Sequence, residues 1–253
     1  MAYTPPPHLS PSSIGTFEQC PLKFKYSKID MLTDDPTDAT LLGNFVHDVL
    51  ENLYHLDAVD RTKNSAKQIA SDLWTDGWSD RVTPWVKGDE TLRLFRWKSW
   101  WCIENLWKIE NPQELNPSGL EHELNGDIAG VRIKGFIDRF SSEGFGYVIS
   151  DYKTGKTPKA NWVKDKFFQL LVYSHLLKST GVGNAEKVEL LYLKDGVSFQ
   201  TEVTKEMLKE VEDKVVSVKE RIDLSCENES FQPNKSILCD WCSFRKVCPA
   251  WRS

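Results

Sequence analysis

The sequence predicts an α/β fold, and three observations carry that reading. Apolar residues recur at helical spacing through the first hundred or so positions, the period drops to two from Gly119, and helical and strand-like segments then alternate. A length of 253 residues allows one large domain or two small ones. Residues 1–9, with Pro5-Pro6-Pro7, read as a flexible arm. Ser10-Pro11 is a helix start, a hydroxyl cap followed by proline, opening a segment to about Asp30 with Ile14, Phe17 and Leu22 apolar. An acidic loop from Asp34 to Asp38 precedes a second helix, Leu41 to about Leu56, whose apolar stripe is Leu42, Phe45, Val46, Val49 and Leu53.

Residues 63–108 read as two further helices broken near Thr83-Pro84. Seven of the ten tryptophans fall here, and Trp97, Trp100, Trp101 and Trp107 recur at helical spacing among Arg93, Arg96 and Lys98. Helical spacing is first a burial signal, so the expectation is a tryptophan-rich core; the alternative is a cation-lined stacking platform for unpaired bases. Strands follow at Leu120–Asn125, Val131–Phe140 and Tyr147–Tyr152, the last two joined by a turn over Ser141–Gly146. A helix from about Trp162 to Lys178, strands Lys187–Leu193 and Val197–Val203 around Lys194-Asp195-Gly196, and a long helix capped by Thr204 to about Leu224 complete the order.

A formal charge of −5 and a pI near 5.6 count against duplex binding through a globally basic surface. No apolar run approaches the ~20 residues of a membrane helix, and the N-terminus has no secretory pattern, so a cytoplasmic protein without membrane partners is expected. Gly155-Lys156-Thr157 suggests a phosphate loop, but Ser150 stands where its first glycine belongs.

The densest polar signal is Gly135-Phe136-Ile137-Asp138 followed by Asp151-Tyr152-Lys153-Thr154-Gly155. A hairpin centred between Gly144 and Phe145 pairs residues whose numbers sum to 289, which sets Asp138 opposite Asp151. Facing carboxylates destabilise a ladder unless a cation lies between them, and oxygen ligands suit a divalent one. Lys153 shares a face with Asp151, so the set suits phosphodiester hydrolysis; the plainer reading is a surface hairpin with ordinary salt bridges. Gln169 and Tyr173, with Lys166, share one helix face, and Glu121 on the preceding strand is a further candidate acid. Lys153, Lys156, Lys159, Lys164 and Lys166 make a local basic patch, or a solvated loop.

Of six cysteines, Cys102 and Cys226 lie alone in helix-like sequence and are expected to be buried. Cys239, Cys242 and Cys248 cluster near the C-terminus, and Cys20 is the candidate fourth ligand of a clamp joining the chain ends. Four thiolates serve zinc or an iron–sulfur cluster, and spacing leaves both open.

Taken in order, Leu9-Ser10-Pro11-Ser12-Ser13, Cys20-Pro21-Leu22-Lys23-Phe24, Gly43-x3-His47, Gly135-x2-Asp138, Asp151-Tyr152-Lys153-Thr154-Gly155, Gln169-Leu170-x2-Tyr173 and Cys239-x2-Cys242-x5-Cys248-Pro249 span nearly the whole chain. The set resembles the RecB-like branch of the PD-(D/E)xK nucleases, in particular its iron–sulfur members, such as CRISPR-associated RecB-like exonucleases and the AddB nuclease domain. The resemblance implies a restriction-endonuclease-like core, a mixed sheet flanked by helices. It implies a single nuclease domain over 10–253, with 60–118 a helical insertion, and 231–253 plus Cys20 an iron–sulfur subdomain. His47, Asp138, Asp151 and the Tyr152 carbonyl would ligate Mg²⁺ or Mn²⁺, and Lys153 would be the catalytic lysine. Gln169 and Tyr173 would position DNA, and Glu121 matches a frequent acidic position. Cys20, Cys239, Cys242 and Cys248 would hold a 4Fe-4S cluster, with Zn²⁺ the alternative. The expected activity is a metal-dependent exonuclease on single-stranded DNA ends; the rival is a non-catalytic DNA-binding adaptor in a recombination or CRISPR-adaptation complex.

Overall fold

The computed structural model describes residues 2–33, 35–159 and 163–251. Helix α1, Pro11–Gln19, begins as its sequence dictates: the Ser13 N–H donates to the Ser10 hydroxyl at 3.1 Å, and Ser13 answers by accepting from the Ser10 N–H. The expected single helix to Asp30 is interrupted, because Pro21 forces the preceding Cys20 into an extended conformation. A short α2, Pro21–Phe24, then runs into a π-helical turn over Lys25–Ile29. The segment expected as a flexible arm is docked instead. Leu9 is buried and pairs with Ile133, donating to the Arg132 carbonyl and accepting from the Lys134 N–H, while the Tyr3 N–H donates to the Cys226 carbonyl. An apolar Leu9 and free backbone groups gain more from burial and pairing than the prolines lose in freedom.

Helix α3, Asp38–His55, buries Phe45, Val46, Val49, Leu50 and Leu53. Helix α4, Lys63–Leu73, leads through a kink within Trp74–Trp78, where Gly77 takes a φ of +109°, into α5, Ser79–Val82, and the long α6, Asp89–Ile109, follows. Strand β1, Pro117–Ile128, pairs antiparallel with β2, Val131–Glu143, which pairs antiparallel with β3, Gly146–Lys153. The strands run further than expected and the β2–β3 turn is tighter. The predicted register holds through Arg139↔Ser150, the last paired position before the two aspartates.

Helices α7, Val163–Lys166, and α8, Phe168–Ser179, cross over to β4, Ala185–Tyr192, which runs parallel to β3. The expected helix start at Trp162 lies outside the described residues. Strand β5, Val197–Glu202, closes a mixed five-stranded sheet ordered β1-β2-β3-β4-β5. Helix α9, Lys205–Glu227, starts at Thr204, whose hydroxyl accepts from the Met207 N–H. Two apolar cores sandwich the sheet: α1, α2, α8 and α9 cover one face, and α3 to α6 cover the other. The architecture is that of a restriction-endonuclease-like fold. Among the described residues no helix is long and apolar enough to cross a membrane.

Burial divides the tryptophans in a way their spacing does not foretell. Trp78 is buried and Trp100 and Trp107 are half-buried, but Trp97 is 57 % and Trp101 41 % exposed, with their rings stacked 5.5 Å apart. The expectation of a tryptophan-rich core therefore fails at these two and at Trp85, 43 % exposed between α5 and α6. Cys102 and Cys226 are buried, as expected.

Candidate functional site

The candidate site sits where β2 and β3 part, and the strand chemistry explains the opening. Beyond Arg139↔Ser150 the Tyr152 N–H donates to Asp138 Oδ2 at 2.9 Å, a side chain in place of a ladder carbonyl. Central strand β3 is buried along most of its length, so Asp151 is only 2 % exposed. Asp138 lies on β2 opposite Glu121 of β1 by the register of the flanking pairs, and Glu121 takes a left-handed φ of +39° there. Helix α3 contributes His47 across the gap. Its Nε2 lies 2.9 Å from the Tyr152 carbonyl oxygen, and its Nδ1 lies 3.5 Å from Asp138 Oδ2 and 3.8 Å from Glu121 Oε1.

The structure brings together His47, Glu121 and Asp138, whose ligating atoms all lie within 4.8 Å of one another. Asp151, on the neighbouring strand, pairs with Lys153, Oδ2 to Nζ 2.6 Å. Glu121, the further candidate acid of the sequence, joins the group through the register: Glu121 and Asp138 satisfy the same pairing sum as Leu120↔Arg139 and His122↔Ile137. Lys153 Nζ also reaches Gln169 Oε1 at 3.5 Å, and Gln169 Nε2 donates to the Tyr173 hydroxyl at 3.1 Å. Gly135 matters here because a Cβ at that position would overlap the Tyr173 ring. Lys166 is exposed at the end of α7, before a tight turn at Phe167, and Lys164 approaches Glu210 instead of the site.

Crowded acids set the electrostatics. Burial raises the Asp138 carboxyl to about 7, and the neighbouring Asp151 adds to the shift. Burial pulls His47 down, but Asp138, the hydrogen bond to Glu121 and Asp151 outweigh it and hold the imidazole near 9. Burial likewise opposes the charge on Lys153, and Asp151 beside it raises the ammonium above its ordinary value. Tyr173 is raised to about 12 by burial. Asp151 Oδ2 is buried with the Lys153 ammonium 2.6 Å away. A group of acids as close as Glu121 and Asp138 suits a divalent cation.

A buried ion-pair cluster that the sequence reading missed lies directly behind the aspartates. Arg139, the residue after Asp138, donates to Glu110 through both terminal nitrogens at 2.5 and 2.8 Å, and reaches Glu189 and Ser150. Its signal was an arginine set between apolar Ile137 and Phe140 in a strand, since a charge buried there needs a buried partner.

The four cysteines expected to cluster all line one hollow between the N-terminal helices and the C-terminal tail. Asn234 N–H points at Cys20 Sγ and Ser236 N–H at Cys239 Sγ, each at 3.4 Å.

A protein-family model for the PD-(D/E)XK nuclease superfamily matches residues 8–249, which holds every element of this site. The chain belongs to the PD-(D/E)XK nuclease superfamily. Nucleases of this superfamily use divalent metals, and the His47, Glu121 and Asp138 group could bind one. The crystal structure of a "Putative exonuclease" from Eubacterium rectale superposes with a TM-score of 0.60 at 17 % identity, covering 95 % of this chain and 89 % of that one, and so shares the fold. A second crystal structure, of SSO0001, reaches 0.41 at 18 % identity over 91 % of this chain and 94 % of that one, too low a likeness to decide anything. No curated protein matches by sequence.

Proposed function

We propose that this chain is a metal-dependent deoxyribonuclease of RecB-like type, an exonuclease acting on single-stranded DNA ends. The observation that carries the reading is the juxtaposition of His47, Glu121 and Asp138 with the Asp151–Lys153 ion pair at the open end of β3. His47, Glu121 and Asp138 would hold Mg²⁺ or Mn²⁺, with Asp151 and the Tyr152 carbonyl beside them. The imidazole turns Nδ1 to Asp138 and Glu121 and Nε2 to that carbonyl, so the ring is fixed between the acids and the strand backbone. A bound ion would polarise the phosphate and make water more acidic. Lys153 holds a positive charge against the developing negative charge on the phosphate, and Asp151 keeps the ammonium in place. Gln169, itself held by Tyr173, fixes the other side of Lys153 and offers an amide to the strand, with Lys166 available to its backbone.

The cysteine hollow would hold a 4Fe-4S cluster, with zinc the alternative, since all four thiols line it. The backbone N–H groups aimed at Cys20 and Cys239 sulfur would stabilise thiolates there. Cys20, Cys239, Cys242 and Cys248 would thereby tie the tail to α1 and α2.

The test is an anaerobic assay on linear single-stranded DNA labelled at either end, with Mn²⁺ or Mg²⁺. Metal-dependent shortening from one end, abolished by Asp138→Ala, is the expected result. A protein with full iron content that leaves both linear and circular DNA intact rejects the nuclease reading in favour of an adaptor.

A further inference from the structure

We infer that the hollow between α4, the turn at Trp74–Trp78 and α6 is a stacking site for unpaired nucleobases, feeding a single strand toward the end of the sheet that carries Lys153. The inference rests on the nuclease reading and deepens it by naming where the substrate is held away from the scissile bond. The hollow has a volume of about 330 Å³ and is walled by Trp74, Trp97 and Trp100 together with Lys67, Arg93 and Arg96. That is within the ~300–1,000 Å³ of small-ligand pockets.

Three features set it apart from ordinary surface. An amphipathic helix normally turns tryptophan inward, yet α6 leaves Trp97 and Trp101 exposed and stacked, their planes 26° apart. The chain carries net negative charge, yet Lys67, Arg93 and Arg96 gather here, and none pairs with a carboxylate among the described residues. Arg96 lies over the Trp74 ring, 5.1 Å from its centroid, and so presents a flat cation as well as a flat ring. Alternating faces and fixed positive charges complement bases and phosphates together, which is how single strands are held without reading their sequence. A duplex offers only the phosphates, because its bases are already stacked.

The stripe also leads to the right place. Trp97 stacks on Trp101, Lys108 lies 5.1 Å over the Trp101 ring, and Trp101 Nε1 donates to the Lys194 carbonyl at 3.0 Å. Lys194 follows Leu193, whose N–H donates to the Lys153 carbonyl at 2.9 Å. Because β3 and β4 run parallel, the turn after β4 and the Lys153 end of β3 lie at one end of the sheet.

Equilibrium binding in EDTA of a 20-nucleotide oligo(dT), and of a hairpin duplex of equal length, tests this on the full chain. Trp97→Ala should weaken single-strand binding roughly ten-fold, Trp97→Phe should recover most of it, and the duplex should change less than two-fold. Arg93→Ala should lower the slope of log affinity against log salt by about one. Trp97 is mostly solvent-exposed, and a circular dichroism melt shows whether its truncation leaves the fold intact. Single-strand binding by Trp97→Ala equal to wild type overturns the stacking site, as does an equal loss on both ligands. A wild type that cleaves DNA while Trp97→Ala binds normally overturns this site alone. A wild type that binds through Trp97 but never cleaves overturns the nuclease reading and leaves the site standing.

Discussion

Glu121 and Asp138 face each other across β1 and β2, and Glu121 does so with a backbone φ of +39° in the middle of a strand. That conformation is costly for a residue with a Cβ, on the order of 1 kcal/mol or more, and it directs a carboxylate toward one that burial has already raised to about 7. Strain and like charge converge on the place where a cation would relieve the repulsion.

Mn²⁺ should therefore stabilise the protein measurably. A ligand at about 100-fold its dissociation constant adds about 2.7 kcal/mol, roughly 5–10 °C for a chain of this size. Glu121→Gln keeps the side-chain volume and removes the charge, so its Mn²⁺-induced shift should be less than half that of wild type. Thermal melts with and without Mn²⁺ measure both; an undiminished shift in Glu121→Gln would remove Glu121 from the ligand set.

Lys153→Ala should lower the cleavage rate by about a hundred-fold or more, the usual effect of removing one donor to a developing oxyanion. Binding of single-stranded DNA in EDTA should weaken far less, since one phosphate contact among many is lost. Comparable losses in binding and rate would make Lys153 a general phosphate contact.

Gly135→Ala tests the packing behind Gln169. The added methyl overlaps the Tyr173 ring, and overpacking of this kind costs about 1–3 kcal/mol. Urea titration of the variant should show that loss, and Gly135→Ala/Tyr173→Phe should not restore stability, because the ring and not the hydroxyl makes the clash. Recovery in the double variant would place the conflict at the hydroxyl.

Arg139→Leu should be among the most destabilising single changes, about 3–5 kcal/mol, since Glu110 and Glu189 would lose their shared counter-ion. Burial raises the Glu189 carboxyl, so the folded protein keeps that proton to higher pH than the unfolded chain does. Stability from this group accordingly falls as pH rises from its unfolded value of about 4.5 through its raised folded value. Denaturation of Glu189→Gln should show a flatter pH profile over that interval; an unchanged slope would assign the pH dependence elsewhere.

The cluster proposal predicts a brown protein with broad visible absorption when isolated without oxygen. Cys20→Ala should lose that absorption and its iron together, even though Cys20 stands 219 positions before Cys239. Full iron content in the variant would mean that the N-terminal thiol is not a ligand.

Much of this is legible in the sequence. The β2–β3 register follows from one glycine-containing turn, because antiparallel pairing fixes every partner once the turn is placed. Thr204 and Ser10 announce their helices because a hydroxyl cap is a local device. What stayed hidden depends on contacts distant in sequence. Leu9 is docked because Ile133 is there to meet it, Arg139 is held by Glu110 and Glu189 from distant elements, and Trp97 and Trp101 stay exposed on α6. Periodicity finds a face but does not say which neighbour it receives.

The seam between the chain's two ends has a kinetic consequence. Tyr26 packs on Phe244, and Asn234 bonds to the Gln19 carbonyl, so α1 and α2 find part of their cover only after more than two hundred further residues. Closing so long a loop is slow, and a boundary of small contacts is the first to open under thermal agitation. During synthesis, α1 and α2 must wait for residues more than two hundred positions on before this part of their cover forms.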